Sequence, residues 1–152
     1  MSEVVIADTS CLILLDKIGH LELLRSLFSE VVVTPEVVEE YGNPLPSFIK
    51  SKTITEGVSN PILDAKLGLG EATAIQLASE NPGCLLVIDE LKGRKVAESL
   101  GIKITGTRGL LIEAKSEGHI KSVKEIISKI KTTNFRFSEA LENMILELAN
   151  EK

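Results

Sequence analysis

At 152 residues, the chain is long enough for one domain with a buried core. Its residues are 43% hydrophobic but only 3% aromatic, with no Trp, so Val, Ile, Leu and Ala must build that core. The longest apolar runs fall far short of the ~20 residues that span a bilayer, which excludes a membrane-spanning protein. The formal charge of −5 gives no overall sign of nucleic-acid binding.

The two cysteines, Cys11 and Cys84, lie in apolar surroundings, where a free thiol behaves as a small buried hydrophobe. Nothing near the start of the chain resembles a signal peptide. We therefore expect a reducing, cytoplasmic environment. Neither cysteine has a His-containing catalytic constellation around it, which argues against a thiol nucleophile.

The first predicted unit is a strand, a pair of helices and a second strand. Residues 4–7 form a short apolar run, and the three residues after it are good helix N-caps. Gly19 is expected to end the first helix. Apolar residues at helical spacing predict a second helix before a strand over residues 31–33.

A further helix is predicted from the N-cap residue Thr34, followed by Pro35, to about Tyr41. Residues 42–61 are rich in Pro, Gly, Ser and Asn, which predicts an exposed, irregular connection. A short strand around residues 53–55 is the one regular element expected within it.

The second half of the chain continues the alternation of helices and strands. Glu71 opens a helix, and the glycines just before it are expected to form a turn. A buried strand over residues 84–88 ends at Asp89, and a helix around residues 94–100 precedes a strand over residues 102–105. This order predicts an α/β protein with a short parallel sheet flanked by helices and right-handed crossovers.

Beyond Gly106 the chain is predicted to be wholly helical. Helices are expected over residues 107–118, from residue 119 or 120 to about residue 131, and from the N-cap Ser138 to about residue 148. The last two carry apolar stripes that need a partner surface. They can pack on the sheet or bury a dimer interface.

Four carboxylates lie where such a fold would bring them together. Residues just past the carboxyl ends of parallel strands gather along one edge of the sheet. Clustered carboxylates repel one another unless protons or cations neutralise them, and hard oxygen ligands favour Mg²⁺ or Mn²⁺. The four are Asp8, Glu40, Glu71 and Asp89.

Each acid also has a purely structural explanation. The two aspartates suit helix N-caps, and Glu71 suits the first turn of a helix. Glu40 can belong to an exposed helix face, and Glu36 and Glu39 compete with it for a place at the site. The sequence alone leaves these alternatives open.

The four acidic stretches together resemble the PIN-domain family, and especially the small PIN ribonucleases that act as toxins in bacterial and archaeal toxin–antitoxin pairs. The stretches that carry the resemblance are VVIADTSCLILL, VVVTPEVVEEYG, GEATAIQLA and LLVIDELKGRKVAESLGI. It covers about residues 3–118. We therefore expect a PIN-like catalytic domain over residues 1–118. Residues 119–152 would be a helical extension packed on that domain or at a dimer interface.

The resemblance implies a three-layer α/β/α fold and a Mg²⁺- or Mn²⁺-dependent endoribonuclease that hydrolyses RNA phosphodiester bonds. It places Asp8 and Asp89 as the inner metal ligands, with Glu40 and Glu71 completing the shell or orienting water. Many family members carry Asp where this chain has Glu71, and the extra methylene would shift the carboxylate oxygens.

Hydroxyl side chains near the acids are further candidates. By the resemblance, Thr9 or Ser10 supports Asp8. Thr105 or Thr107 stands where some family members carry another Asp or Asn, and either can hold a water-mediated ligand. For Thr107, a helix cap is the simpler explanation.

The resemblance also implies partners. RNA would be held by basic residues near the same edge, among which Lys92, Arg94 and Arg108 are candidates, although Lys92 and Arg94 also fit a solvated helix face with Lys95. A cognate antitoxin and a homodimer are the other expected partners.

Other functions compete with the nuclease. The main alternative is a catalytically silent PIN-like module that binds protein or RNA. A receiver domain or a haloacid-dehalogenase-type phosphatase is a weak alternative, because Asp8 is followed by Thr9 and Ser10 and not by a second acid. His20 and His119 have no metal-ligand spacing and are read as structural.

Overall fold

The computed structural model describes residues 4–134 and 138–151. Within them the chain forms five strands and nine helices. In chain order these are β1 (Val4–Ala7), α1 (Thr9–Lys17), α2 (Leu23–Leu27), β2 (Glu30–Val33), α3 (Pro35–Tyr41), β3 (Ile49–Ser51), α4 (Asn60–Asp64), α5 (Leu69–Glu80), β4 (Leu85–Val87), α6 (Leu91–Ser99), β5 (Lys103–Thr105), α7 (Thr107–Ser116), α8 (Val123–Lys131) and α9 (Glu139–Leu148).

The strands form one sheet in the order β3-β2-β1-β4-β5, and every neighbouring pair is parallel. The first strand lies at the centre, where Val5 pairs with Val31 of β2 on one side and with Leu85 of β4 on the other. Because β1 and β4 are neighbours, the residues that follow them emerge side by side at the carboxyl edge of the sheet.

Successive strand residues point to opposite faces of the sheet, and each face is covered by helices. Val5 and Ala7 face a cluster that includes side chains of α1, α2, α7 and α8, whereas Ile6 faces a cluster that includes side chains of α4, α5 and α6. The central strand β1 and its neighbour β4 are apolar along their whole length, as parallel strands covered on both faces must be. The protein has the predicted three-layer α/β/α fold.

The last two helices pack on the same body. Val123 and Ile127 of α8 form a small cluster with Ile145 and Leu146 of α9. Ile126 and Ile130, also on α8, join the main core. The apolar stripe of α8 is thus buried within the chain. On α9, Met144 stays 42% exposed and Leu148 61% exposed.

A carboxylate near the end of the chain holds these helices together. Glu151 accepts hydrogen bonds from the Lys115 side chain (2.8 Å), from Ser122 Oγ (2.9 Å) and from the main-chain N–H groups of Val123 (2.6 Å) and Lys124 (3.0 Å). Burial raises the pKa of Glu151, but these hydrogen bonds outweigh burial and hold it at about 2. The charge also complements the positive end of α8.

Several helix starts agree with prediction. Thr34 caps α3 by accepting a hydrogen bond from the Val37 N–H at 3.2 Å, with Pro35 in the first turn. Ser138 caps α9 in the same way, from the Leu141 N–H at 3.0 Å. Local hydrogen-bonding chemistry explains these agreements, because a cap needs only its own helix.

Three predictions about elements are wrong. No strand forms at residues 53–55; β3 lies at Ile49–Ser51, where it pairs in parallel with the free edge of β2. The stretch over residues 42–61 was expected to stay irregular to its end, but its last two residues begin the short helix α4. The helix expected from residue 119 or 120 begins at Val123, because Ser122 is its N-cap and Glu151 binds its first N–H groups. None of the helices in the described ranges is long and apolar enough to cross a membrane.

Candidate metal centre

Two of the four predicted carboxylates follow strands of the sheet, and the other two lie on helices. Asp8 follows β1 and is the N-cap of α1, with only 5% of its surface exposed. Asp89 follows the neighbouring strand β4 and is exposed. Glu40 lies in the last turn of α3, and Glu71, which is 9% exposed, lies in the first turn of α5.

Thr9 connects two of these acids. Its main-chain N–H donates to Asp8 Oδ1 at 2.7 Å, and its hydroxyl donates to Glu40 Oε1 at 2.8 Å. The Asp8 side chain therefore caps α1, and the residue next to it, Thr9, binds Glu40 directly. Among the three glutamates of α3, Glu40 is the one whose carboxylate makes this contact. Ser10, the other predicted hydroxyl support, is exposed on α1.

Glu40 is also held by α5. The Gly70 N–H donates to Glu40 Oε2 at 3.0 Å, and a Cβ at position 70 would collide with Glu40 Oε1. Gly70 was expected in a turn, but it lies inside α5, where its lack of a side chain lets the carboxylate approach. The two helices are tied further by a buried hydrogen bond of 2.8 Å between the Thr34 and Thr73 hydroxyls.

Asp89 is bound by the start of α7. The Thr107 N–H donates to Asp89 Oδ1 at 2.8 Å, and the Thr107 hydroxyl donates to Asp89 Oδ2 at 2.6 Å. Two structural alternatives for these residues are therefore wrong. The N-cap of α6 is Glu90 and not Asp89, and the N-cap of α7 is Gly106 and not Thr107.

Gly106 matters for the same reason as Gly70. A Cβ at this position would come within 2.7 Å of Asp89 Oδ1 and 3.0 Å of an Arg94 guanidinium nitrogen. The absence of a side chain at Gly106 therefore leaves room for the Asp89 carboxylate and the Arg94 guanidinium. The other hydroxyl candidate, Thr105, lies half-buried at the end of β5, with its Oγ1 3.5 Å from the Gly106 carbonyl oxygen.

The basic candidates occupy different positions. Arg94 is half-buried and donates to the Ile88 carbonyl at 2.7 Å, so part of its guanidinium is used within the fold. Lys92 is exposed, and its charge lowers the pKa of Glu71, which places it near that acid. Arg108 is exposed in the first turn of α7, next to Thr107.

Burial and neighbouring charges change how Asp8 and Glu71 ionise. Burial raises the pKa of Asp8 to about 6, and the negative charges of Glu40, Asp89 and Glu90 add to this effect, against the hydrogen bond from Thr9. Burial and the charges of Asp8, Glu90 and Glu40 raise the pKa of Glu71 to about 7. Burial, reinforced by neighbouring negative charges, therefore disfavours the ionised forms of Asp8 and Glu71.

Cys11 lies beneath the same site on α1. It is fully buried, and burial together with the charge of Asp89 raises the pKa of its thiol, against a hydrogen bond with Thr107. A neutral thiol at this place acts as a core side chain under the acids. The sequence indicated its burial but not its contact with Thr107.

The chemistry of the donor set fits a hard divalent cation. All four acids offer oxygen, and a cation would favour the ionised forms of Asp8 and Glu71, which burial and then nearby negative charge disfavour. As the side chains stand, no three His, Cys, Asp or Glu residues within the described ranges form a group that could hold a metal ion. Binding would therefore need the carboxylates to move closer together.

Comparison with known proteins gives one match. The model of a family described as PIN domain matches residues 4–151, which is nearly the whole chain. Neither the curated proteins nor the solved structures contain a significant match.

Proposed function

Because the chain belongs to the PIN-domain family, whose members are generally nucleases that use divalent metal ions, we propose that it is a Mg²⁺- or Mn²⁺-dependent endoribonuclease. The observation that carries this proposal is the convergence of four carboxylates at the carboxyl edge of the sheet. The raised pKa values of Asp8 and Glu71 support it further, because burial and neighbouring acids disfavour their ionised forms and a bound cation would offset both effects.

Each acid has a role in this proposal. Asp8 and Asp89, which follow neighbouring strands, are the inner ligands, and Glu40 and Glu71 complete the shell or orient the attacking water. A bound divalent cation supplies Lewis acidity toward the scissile phosphate and lowers the pKa of that water. No covalent enzyme intermediate is required, because water is the nucleophile.

The surrounding residues position these ligands. Thr9 holds Asp8 and Glu40 in a fixed relation, and Thr107 limits the rotation of the Asp89 carboxylate by binding both of its oxygens. Such outer partners restrict the orientation of each carboxylate while the ligands close around the cation. Ser10, exposed on the first turn of α1, is available to the substrate rather than to the acids.

RNA is the proposed substrate, held by Lys92, Arg94 and Arg108. Lys92 and Arg108 are exposed and lie near Glu71 and next to Thr107, respectively, so they can meet phosphates on either side of the acids. Arg94 would contribute through the guanidinium donors that its bond to the Ile88 carbonyl leaves over. Aromatic residues are too few for a base-stacking platform, so backbone contacts should dominate the affinity.

The proposal extends to the biological setting. The protein would act in the cytoplasm as the toxin of a toxin–antitoxin pair, with a small protein partner that covers the acidic site. It would form a homodimer, and the exposed Met144 and Leu148, one turn apart on α9, are a suitable surface. Residues 1–118 would be the catalytic domain and residues 119–152 its helical extension. Light scattering over a wide concentration range tests the dimer: a constant monomeric mass would refute it.

The decisive experiment compares wild type with Asp8→Asn for cleavage of a mixed set of structured RNAs with Mg²⁺ or Mn²⁺. Asp64→Asn, which removes the same charge from an exposed position at the end of α4, is the matched control. Cleavage should require the metal, disappear in Asp8→Asn and with a chelator, and persist in Asp64→Asn. Equal cleavage by all three proteins would indicate a contaminant or a different centre.

A second candidate function is a catalytically silent PIN-like module that binds protein or RNA. It is favoured by the finding that the described residues contain no ready-made group of metal ligands. Titration calorimetry with Mn²⁺ separates the two functions. Binding that is lost in Asp8→Asn supports the nuclease, whereas wild type that neither binds metal nor cleaves RNA supports the silent module.

A further inference from the structure

The Glu71 carboxylate packs against a glycine of the neighbouring helix. Gly93 is buried in the first turn of α6, which runs alongside α5. A Cβ added to Gly93 would come within 2.9 Å of Glu71 Cδ and 3.1 Å of Glu71 Oε1. These distances are shorter than ordinary contacts between such atoms, so the carboxylate occupies the space that a side chain at position 93 would need.

Backbone conformation does not explain this glycine. Gly93 is not among the glycines with positive φ, and it lies within a regular helix, where glycine is less stable than alanine. The added Cβ would also come within 2.6 Å of Ile88 Cδ1, a fully buried methyl group. The absent side chain therefore makes room for two neighbours, one in the core and one at the acidic site.

We infer that Gly93 is a positioning residue for Glu71. The space that it leaves open accommodates a glutamate at position 71, which is one methylene longer than an aspartate. The absent side chain at position 93 leaves room for the carboxylate of a glutamate to pack against α6. An aspartate at position 71 would withdraw its carboxylate by about one C–C bond, or ~1.5 Å, and would no longer need the glycine. The catalytic meaning of this inference rests on the proposed function, but the contact itself does not.

A double-mutant cycle tests the inference, because residues in contact give non-additive effects. The proteins are wild type, Gly93→Ala, Glu71→Asp and the double variant. Gly57→Ala is the matched control, since nothing lies within 4 Å of a Cβ at that exposed position. Three quantities are measured: the melting temperature without metal, the affinity for Mn²⁺ by calorimetry, and the rate of RNA cleavage.

In the Glu71 background, Gly93→Ala should lower the melting temperature and reduce cleavage by about 100-fold, the scale expected for a displaced catalytic group. Its affinity for Mn²⁺ should fall as well. In the Glu71→Asp background the same substitution should change each quantity much less, so that the double variant resembles Glu71→Asp alone. Gly57→Ala should match wild type throughout.

The outcomes separate this inference from the proposed function. Equal losses from Gly93→Ala in both backgrounds would show that the added methyl acts only through Ile88, and would overturn the inference. Coupling in the melting temperature without metal binding or cleavage in wild type would support the Gly93–Glu71 contact while refuting the nuclease. If Gly93→Ala does not fold, the cycle is repeated with Ile88→Val, which lacks the Cδ1 methyl and isolates the contact with Glu71.

Discussion

Replacing Thr107 by Val tests how far Asp89 depends on its support from α7. Val has nearly the shape of Thr but no hydroxyl, so the 2.6 Å bond to Asp89 Oδ2 is lost while the 2.8 Å bond from the main-chain N–H to Oδ1 stays. A hydrogen bond to a charged group contributes about 1.5–3 kcal/mol. Because Asp89 is exposed and water can replace part of this bond, we expect the free energy of unfolding to fall by only about 1 kcal/mol.

The functional loss should be larger than the loss of stability. An Asp89 carboxylate with one protein donor is free to rotate about its Cβ–Cγ bond, and loss of such an outer partner typically costs 10–100-fold in metal affinity or activity. Thr107→Ser keeps the hydroxyl and is the matched control, expected within about threefold of wild type, which corresponds to well under 1.4 kcal/mol. Mn²⁺ affinity by calorimetry, single-turnover RNA cleavage and urea unfolding are measured on all three proteins. Thr107→Val with the Mn²⁺ affinity and cleavage rate of Thr107→Ser would refute the reasoning.

Three other predictions concern the rest of the chain. Glu151→Gln should lower the free energy of unfolding by about 2 kcal/mol near neutral pH. Hydrogen bonds hold the pKa of Glu151 at about 2, against the effect of burial. The extra stability of wild type over Glu151→Gln should therefore be complete above about pH 5 and vanish as the pH falls toward 2. A difference in stability that acid does not change would contradict this. Burial, with nearby negative charges, raises the pKa values of Asp8 and Glu71 to about 6 and 7, so the folded state binds more protons than the unfolded state between about pH 4 and 7. The metal-free melting temperature should therefore fall as the pH rises through that range, and Mn²⁺ should raise it more at about pH 8 than at about pH 5; a flat calorimetric profile would count against the acidic cluster. Arg108→Ala should weaken RNA binding and reduce the slope of log affinity against log salt by about 1 without changing Mn²⁺ affinity, and an unchanged slope would remove this residue from the RNA contacts.

The general position of the acids could be predicted because it depends on few assumptions. Short apolar runs followed by Asp8 and Asp89 predict parallel strands, and residues after parallel strands share one edge of the sheet. The starts of α3 and α9 could be predicted for a similar reason, since Thr34 and Ser138 bind N–H groups of their own helices. Such features need only local chemistry and the alternation of helices and strands.

Contacts between elements could not be predicted in the same way. The bond from Gly70 to Glu40 depends on how α3 and α5 pack, and the bonds from Thr107 to Asp89 depend on where α7 begins. Each of these residues had a reasonable local explanation that proved wrong, as a turn glycine or a helix cap. A glycine within a helical pattern was the one available signal, because it is unfavourable there without a packing reason.

The location of β3 illustrates a different limit. Residues 53–55 have better strand-forming composition than Ile49–Ser51, yet the latter pair with β2 and bury Ile49 against the main core. Strand propensity is decided largely by neighbours, so an edge strand of three residues depends on register more than on composition.

The central place of β1 has a consequence for dividing the molecule. Asp8 and Glu40 belong to the part of the chain before the exposed Gly57, and Glu71 and Asp89 to the part after it, while β1 joins the two parts through its pairing with β4. A chain cut near Gly57 would leave two acids on each fragment and a complete set on neither. Fused to two proteins that associate on demand, the fragments would form a split reporter whose acidic site assembles only when the partners meet.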